Sequence, residues 1–204
     1  MQRIGLLVYG SLRWHPKGLR DVLDLEGAID VQTPFAIEFA RSSKWRDGCP
    51  TLVPVESGGS RVAAAVIPFL LGTSVPDAQT RVWQRELLRT SGRYDRERDP
   101  GPNKVYVEPL EQYFAGFDVV LSVTIGSNID HPDGETLADL AIASARAQAG
   151  ARGEDGITYL IDAKKQGIAT PLLPAYEAAV LRRLAVSSLE QAWATARSSS
   201  NPAP

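Results

Sequence analysis

The chain has 204 residues, 44% hydrophobic, 23% charged and 7% aromatic, a globular balance that excludes disordered, collagen-like and coiled-coil chains. Lysine and arginine number 22 against 24 acids, a formal net charge of -2, so no overall basic field draws the chain to nucleic acid or to an anionic membrane. One cysteine, Cys49, and two histidines, His15 and His131, exclude an internal disulfide and a zinc site of the usual nitrogen and sulfur ligands.

Residues 4–9 form a short apolar run ended by Gly10 and Ser11, the pattern of a buried strand that delivers the chain into a tight turn. This run is too short for a signal segment or a membrane span and is broken by Ser11, Arg13 and Pro16. With the sparse cysteine it points to a reducing, cytoplasmic setting and no membrane partner. Residues 17–26 carry Leu19, Val22, Leu23 and Leu25, which predicts a short helix before Gly27. Residues 35–40 alternate, and 51–55 and 61–69 are further extended segments.

Ser74, Pro76 and Asp77 supply a serine cap, a proline in the first turn and an acid three positions on, which predicts a helix running toward Arg89 and stopping near Gly92. Strands follow at 104–108 and 117–126, the second rich in valine. The pattern then turns helical over 133–149, 154–165, 174–184 and 188–197, punctuated by glycine and Pro171. Residues 198–204 read as a disordered tail. No repeat or long linker divides the chain, so 1–197 reads as a single domain. Strands first and helices later give a mixed α+β fold with a mostly helical C-terminal part, rather than a doubly wound one.

Three features bear on chemistry. The turn Tyr9, Gly10, Ser11 and Leu12 follows a strand end, where free backbone amides can converge on an anion; the same residues also fit a plain strand-to-helix turn. Ser11 lacks the Gly-x-Ser-x-Gly context of a nucleophile elbow. On the helix after Ser74, Ala78, Val82, Trp83 and Leu87 share an arc at about 100° per residue, and Glu86 falls inside it. An inward carboxylate is either paired with an arginine or held for acid/base work. The arginines at 81, 85, 89, 93, 96 and 98 are interleaved with Glu86, Asp95, Glu97 and Asp99 and read as a salt-bridged helix end, not a nucleic-acid surface. His131, Pro132 and Asp133 read as a loop ending in a helix cap, and His15 as a loop residue near the Gly10 turn. Cys49 has no activating neighbour in sequence between Gly48 and Pro50.

The segment LVYGSLRWHP, with Trp14 and Pro16, resembles the tyrosine-glycine-serine-leucine loop of the γ-glutamyl cyclotransferases, in particular their ChaC-like, glutathione-specific branch. FARSSKWRDGCPTLVPV, RVAAAVIPF, VWQRE, VLSVTIGSN and the stretch GETLADLAIASARAQAGARGEDGITYL are similar to later segments of that family in the same order. Two departures border the expected pocket. Leu87 to Ser91 intervene before Gly92, Arg93 and Tyr94, where the family has glycines and a tyrosine just after its glutamate. Ser122 and Thr124 stand where a tyrosine is common.

The resemblance implies a small mixed β-barrel or sheet with peripheral helices. It also implies a metal-free, cofactor-free reaction in which the α-amine of a γ-glutamyl group attacks its own side-chain amide, releasing 5-oxoproline and an amine. In that reading Glu86 is the catalytic base, Tyr9, Gly10, Ser11 and Leu12 bind the γ-glutamyl group of a small substrate such as glutathione, and Tyr94 is the displaced counterpart of the family's tyrosine. The alternatives are another γ-glutamyl amine as substrate, or a non-catalytic ligand-binding or regulatory protein on the same fold. Sequence alone does not specify the oligomeric state.

Overall fold

The computed structural model describes residues 2–14, 16, 18–97 and 104–198. His15, Lys17, Arg98, Asp99 and the expected tail from residue 199 onward lie outside them. The architecture is mixed α+β, as the order of strands and helices predicts. Its residues sort into two compact units, one built from 1–34 and 63–126 and the other from 35–62 and 127 onward.

The first unit holds a five-stranded sheet in the order β2-β5-β1-β7-β6, from β1 (Ile4–Val8), β2 (Ile29–Gln32), β5 (Ala63–Pro68), β6 (Val105–Pro109) and β7 (Val119–Ile125). The central strand β1 is buried along its whole length. It runs antiparallel to β5, with Gly5 opposite Pro68, and parallel to β7, with Ile4 opposite Val119. Burial on both faces explains why β1 reads as a continuous apolar run and not as an alternation. Helix α2 (Val75–Glu86) belongs to the same core: Ala78, Val82 and Trp83 join Ile4, Leu6 and Val8 of β1, Ala65, Ile67 and Phe69 of the β5 segment, and Val105, Val107 and Leu121 in one hydrophobic cluster.

The cap read at Ser74 is present. Ser74 accepts the Asp77 backbone N–H at 3.3 Å, and its hydroxyl donates to the Asp77 carboxylate at 2.6 Å. The helix expected over 17–26 is not. The chain there makes consecutive turns, with Gly18 at φ +80°, while the Leu70 N–H donates to the Val22 carbonyl and Leu23 forms a bridge with Phe69. Leu19 and Leu23 are buried as the apolar spacing predicts, but pairing with the β5 end takes the backbone out of a helix. Strand β2, with half-buried Ile29 and Val31, was not expected from the sequence.

The second unit pairs β3 (Ile37–Ser43) with β4 (Cys49–Pro54), so these early strands belong with the late helices and not with the main sheet. The register shifts between Phe39 and Arg41, and the Ala40 carbonyl at the irregularity accepts the Asn128 and Ile129 N–H groups at 3.1 Å each. Helices α3 (Gly134–Arg146), α4 (Gln148–Arg152), α5 (Gly156–Lys165), α6 (Leu173–Leu184) and α7 (Leu189–Ser198) follow. The helix expected over 133–149 is split because Ala147 is extended. Asp133 caps α3 as read, accepting the Thr136 N–H at 2.8 Å. Buried Asp155 caps α5, accepting from Ile157 and Thr158 N–H and from the Trp193 indole. No helix among the described residues is long and apolar enough to cross a membrane.

Candidate active site at the end of helix α2

Helix α2 presents one buried arc. In projection Glu86 lies between Val82 and Trp83, and Gln79 lies there too. Gln79 resolves its polarity by donating from its amide to the Val107 carbonyl at 2.7 Å, which fastens α2 to strand β6. Glu86 resolves its own differently. Its side chain is only 13% exposed, and Oε1 accepts a hydrogen bond from Nη1 of Arg85, itself 17% exposed. Of the two explanations for an inward carboxylate, pairing with an arginine is therefore present. It occupies one carboxylate oxygen; Oε2 accepts no hydrogen bond from the described residues.

The helix ends on Glu86, earlier than the periodicity predicts. The Leu88 N–H donates to the Arg85 carbonyl at 3.2 Å and the Arg89 N–H to the Gln84 carbonyl at 2.8 Å, with Leu88 left-handed at φ +52°. This is a Schellman closure in which leucine occupies the position glycine usually takes. An L-residue there is strained by about 1–2 kcal/mol. Leu88 is 68% exposed, so it gains little by burial. Leu88→Gly is expected to raise stability by about 0.5–1 kcal/mol after the extra chain entropy of glycine is deducted, read as a higher urea midpoint at unchanged slope.

The turn after β1 belongs to the same core. Gly10 is left-handed at φ +57° and buried, and the single helical turn α1 (Ser11–Trp14) begins with the Arg13 N–H donating to the Gly10 carbonyl at 3.2 Å. Arg13 ties this turn to β2 through Asp30 at 2.5 Å. Leu12 is 8% exposed and lies in the cluster that contains Val8, Val82 and Trp83, with half-buried Leu87 packed against it. One hydrophobic core thus holds the Leu12 end of the turn and the Glu86 end of α2. Tyr9 and Ser11 are half-buried.

Tyr94 is engaged elsewhere. Its hydroxyl donates to the Glu108 carboxylate and accepts the Val107 N–H at 3.2 Å, and its own N–H donates to the Thr80 hydroxyl at 3.3 Å. Burial and the Glu108 carboxylate push the phenol up to about 12, so it stays protonated at neutral pH. Tyr94 lines an open cleft of about 480 Å³ with Pro76, Gln79, Thr80, Arg96 and Glu108, and neither Glu86 nor Tyr9 to Leu12 is in its lining. Gln79 and Glu86 are seven residues apart, about 10 Å along the helix axis.

The arginine-rich stretch is salt-bridged, with Arg81 on Asp21, Arg93 on Asp77 at 3.8 Å and Arg96 on Glu108 at 3.7 Å. None of these three acids is one of the interleaved ones; of those, Glu86 pairs with Arg85. Cys49 is fully buried, and burial pushes its thiol up to about 12, which keeps it protonated and non-nucleophilic. Glu108, the partner of Tyr94, is not singled out by the sequence, and Arg85, which the sequence places only in the salt-bridged arginine run, is the partner of Glu86. No protein-family model, curated protein or solved structure matches the chain.

Proposed function

We propose that the chain is a γ-glutamyl cyclotransferase of the ChaC-like kind, with the corresponding fold, and that Glu86 and the turn from Tyr9 to Leu12 form its active site. The observation that carries this reading is a mostly buried carboxylate with one oxygen held by Arg85 and the other unclaimed by any described residue. It ends α2, the helix whose Val82 and Trp83 share a hydrophobic core with Leu12.

The reaction closes a five-membered ring. A reference α-amino group has a pKa of about 7.7–8.0 and is largely protonated at neutral pH, so a base must free its lone pair before attack. Glu86 takes that proton. The nitrogen then bonds to the γ-carbonyl carbon, the carbonyl electrons move onto oxygen, and the carbon–nitrogen bond to the leaving amine breaks as they return. Two protons pass in all from the attacking to the leaving nitrogen, and one carboxylate suffices to carry them in turn. The turn's backbone amides supply donors for the substrate α-carboxylate or the oxyanion. The two reacting ends are already in one molecule, so the site's task is to hold that molecule in the folded, near-attack conformation. The sequence is redox-neutral and needs no cofactor. Tyr94 is left out of the reacting group, since its hydroxyl is held by Glu108 and Val107.

The test is to incubate the purified chain with glutathione and a panel of γ-glutamyl amino acids and amines and to quantify 5-oxoproline. Release from at least one, dependent on a free α-amine, is expected. Release from none overturns the proposal.

A further inference from the structure

We propose that Arg85 is a positioning residue for Glu86: it holds Oε1 so that Oε2 meets the substrate amine. This inference rests on the cyclotransferase reading above. Neighbouring helix residues project about 100° apart and do not ordinarily meet, so the pair forms only because Arg85 leans across the helix toward Glu86. The segment at Gly18 supports the lean. A Cβ built on Gly18 would lie 3.7 Å from Arg85 Cγ and 3.9 Å from its Cβ, so the backbone there flanks the arginine stem.

Glu86 also needs the partner. As the last residue of α2 it sits at the negative end of the helix, beside the unpaired carbonyls of the final turn, where a carboxylate is disfavoured and a cation is favoured. Arg85 supplies that cation. Both side chains are largely buried, so their hydrogen bond is shielded from exchange with water. The Schellman closure fixes the backbone under them. A carboxylate fixed at one oxygen presents the other in a defined direction. Released, it turns freely about its last torsion, and misplacing a reacting group by about 1 Å costs on the order of 10²-fold in rate.

The test compares wild type, R85M and R85K on the best substrate of the γ-glutamyl panel. R85M keeps the length and packing of the stem and removes the donor. It is expected to lower kcat about 10- to 100-fold while KM stays within about threefold, because Arg85 acts on the base and not on the substrate. R85K, which restores a charged donor, is expected to recover at least about threefold of that loss. If R85M does not fold, R85L, which also has no donor, takes its place with the same expectation for kcat and KM. A wild-type kcat in R85M, a loss confined to KM, or no recovery in R85K overturns the role of Arg85 while leaving the cyclotransferase reading intact. A wild type that releases no 5-oxoproline overturns both.

Discussion

Glu86→Gln is expected to fold as the wild type does and to release 5-oxoproline at least about 10²-fold more slowly, within the 10²- to 10⁴-fold range typical of a lost general base. Glutamine has nearly the same shape, and its side-chain oxygen still accepts from Arg85, so the contact that ends α2 survives. What is lost is the capacity to accept a proton from an ammonium group. Circular dichroism melting and steady-state rates on one substrate check the two halves of this expectation. A well-folded variant that turns over at the wild-type rate would remove Glu86 from the reaction.

The largest effect on stability is expected from Gly5→Val, at about 3 kcal/mol or more. Gly5 is the second residue of β1, the strand paired on both sides that leads into the Gly10 turn. A Cβ there would stand 2.5 Å from Val66 Cγ1 and 2.8 Å from the Phe117 ring, closer than side chains pack. Val66 is β-branched and fully buried and cannot swing aside, and Phe117 is 7% exposed. Relief requires β1 to move away from β5 or β7, which breaks ladder hydrogen bonds. The expected reading is a lower urea midpoint at unchanged slope. A variant as stable as the wild type would mean that this face of the sheet is not packed as described.

Features written in local chemistry were legible in the sequence. Ser74 and Asp133 act as caps where they were read, because a cap needs only its own side chain and the next three backbone N–H groups. Strands β1, β5, β6 and β7 fall within a residue or two of the apolar runs that predict them. The features that the local pattern does not specify depend on distant partners. Residues 17–26 carry helical spacing, yet the bridge between Leu23 and Phe69 decides their backbone. Strand β2 is four residues long, with only Ile29 and Val31 as a signal, and its identity comes from pairing with β5.

The site shows the same division. That Glu86 faces inward follows from the period of α2, but its arginine does not follow from spacing rules, which favour partners three or four residues away. Arg89 is the arginine at that distance. It lies beyond the helix end, with its guanidinium 4.9 Å from the Trp83 ring. The early stop at Glu86, set by left-handed Leu88, leaves Arg85 to pair with Glu86. Tyr94 follows that stop by eight residues, and its phenol is drawn to Glu108 on β6, a contact across strand and loop that no local pattern announces.

The central claim is that the substrate's own amine, and not water, opens the γ-glutamyl amide. Turnover of a γ-glutamyl substrate in ¹⁸O-enriched water, with products identified by mass spectrometry, tests it most directly. Cyclisation keeps the original carbonyl oxygen and predicts unlabelled 5-oxoproline together with the free amine. Glutamate carrying ¹⁸O, or no product at all from any γ-glutamyl compound, would contradict it.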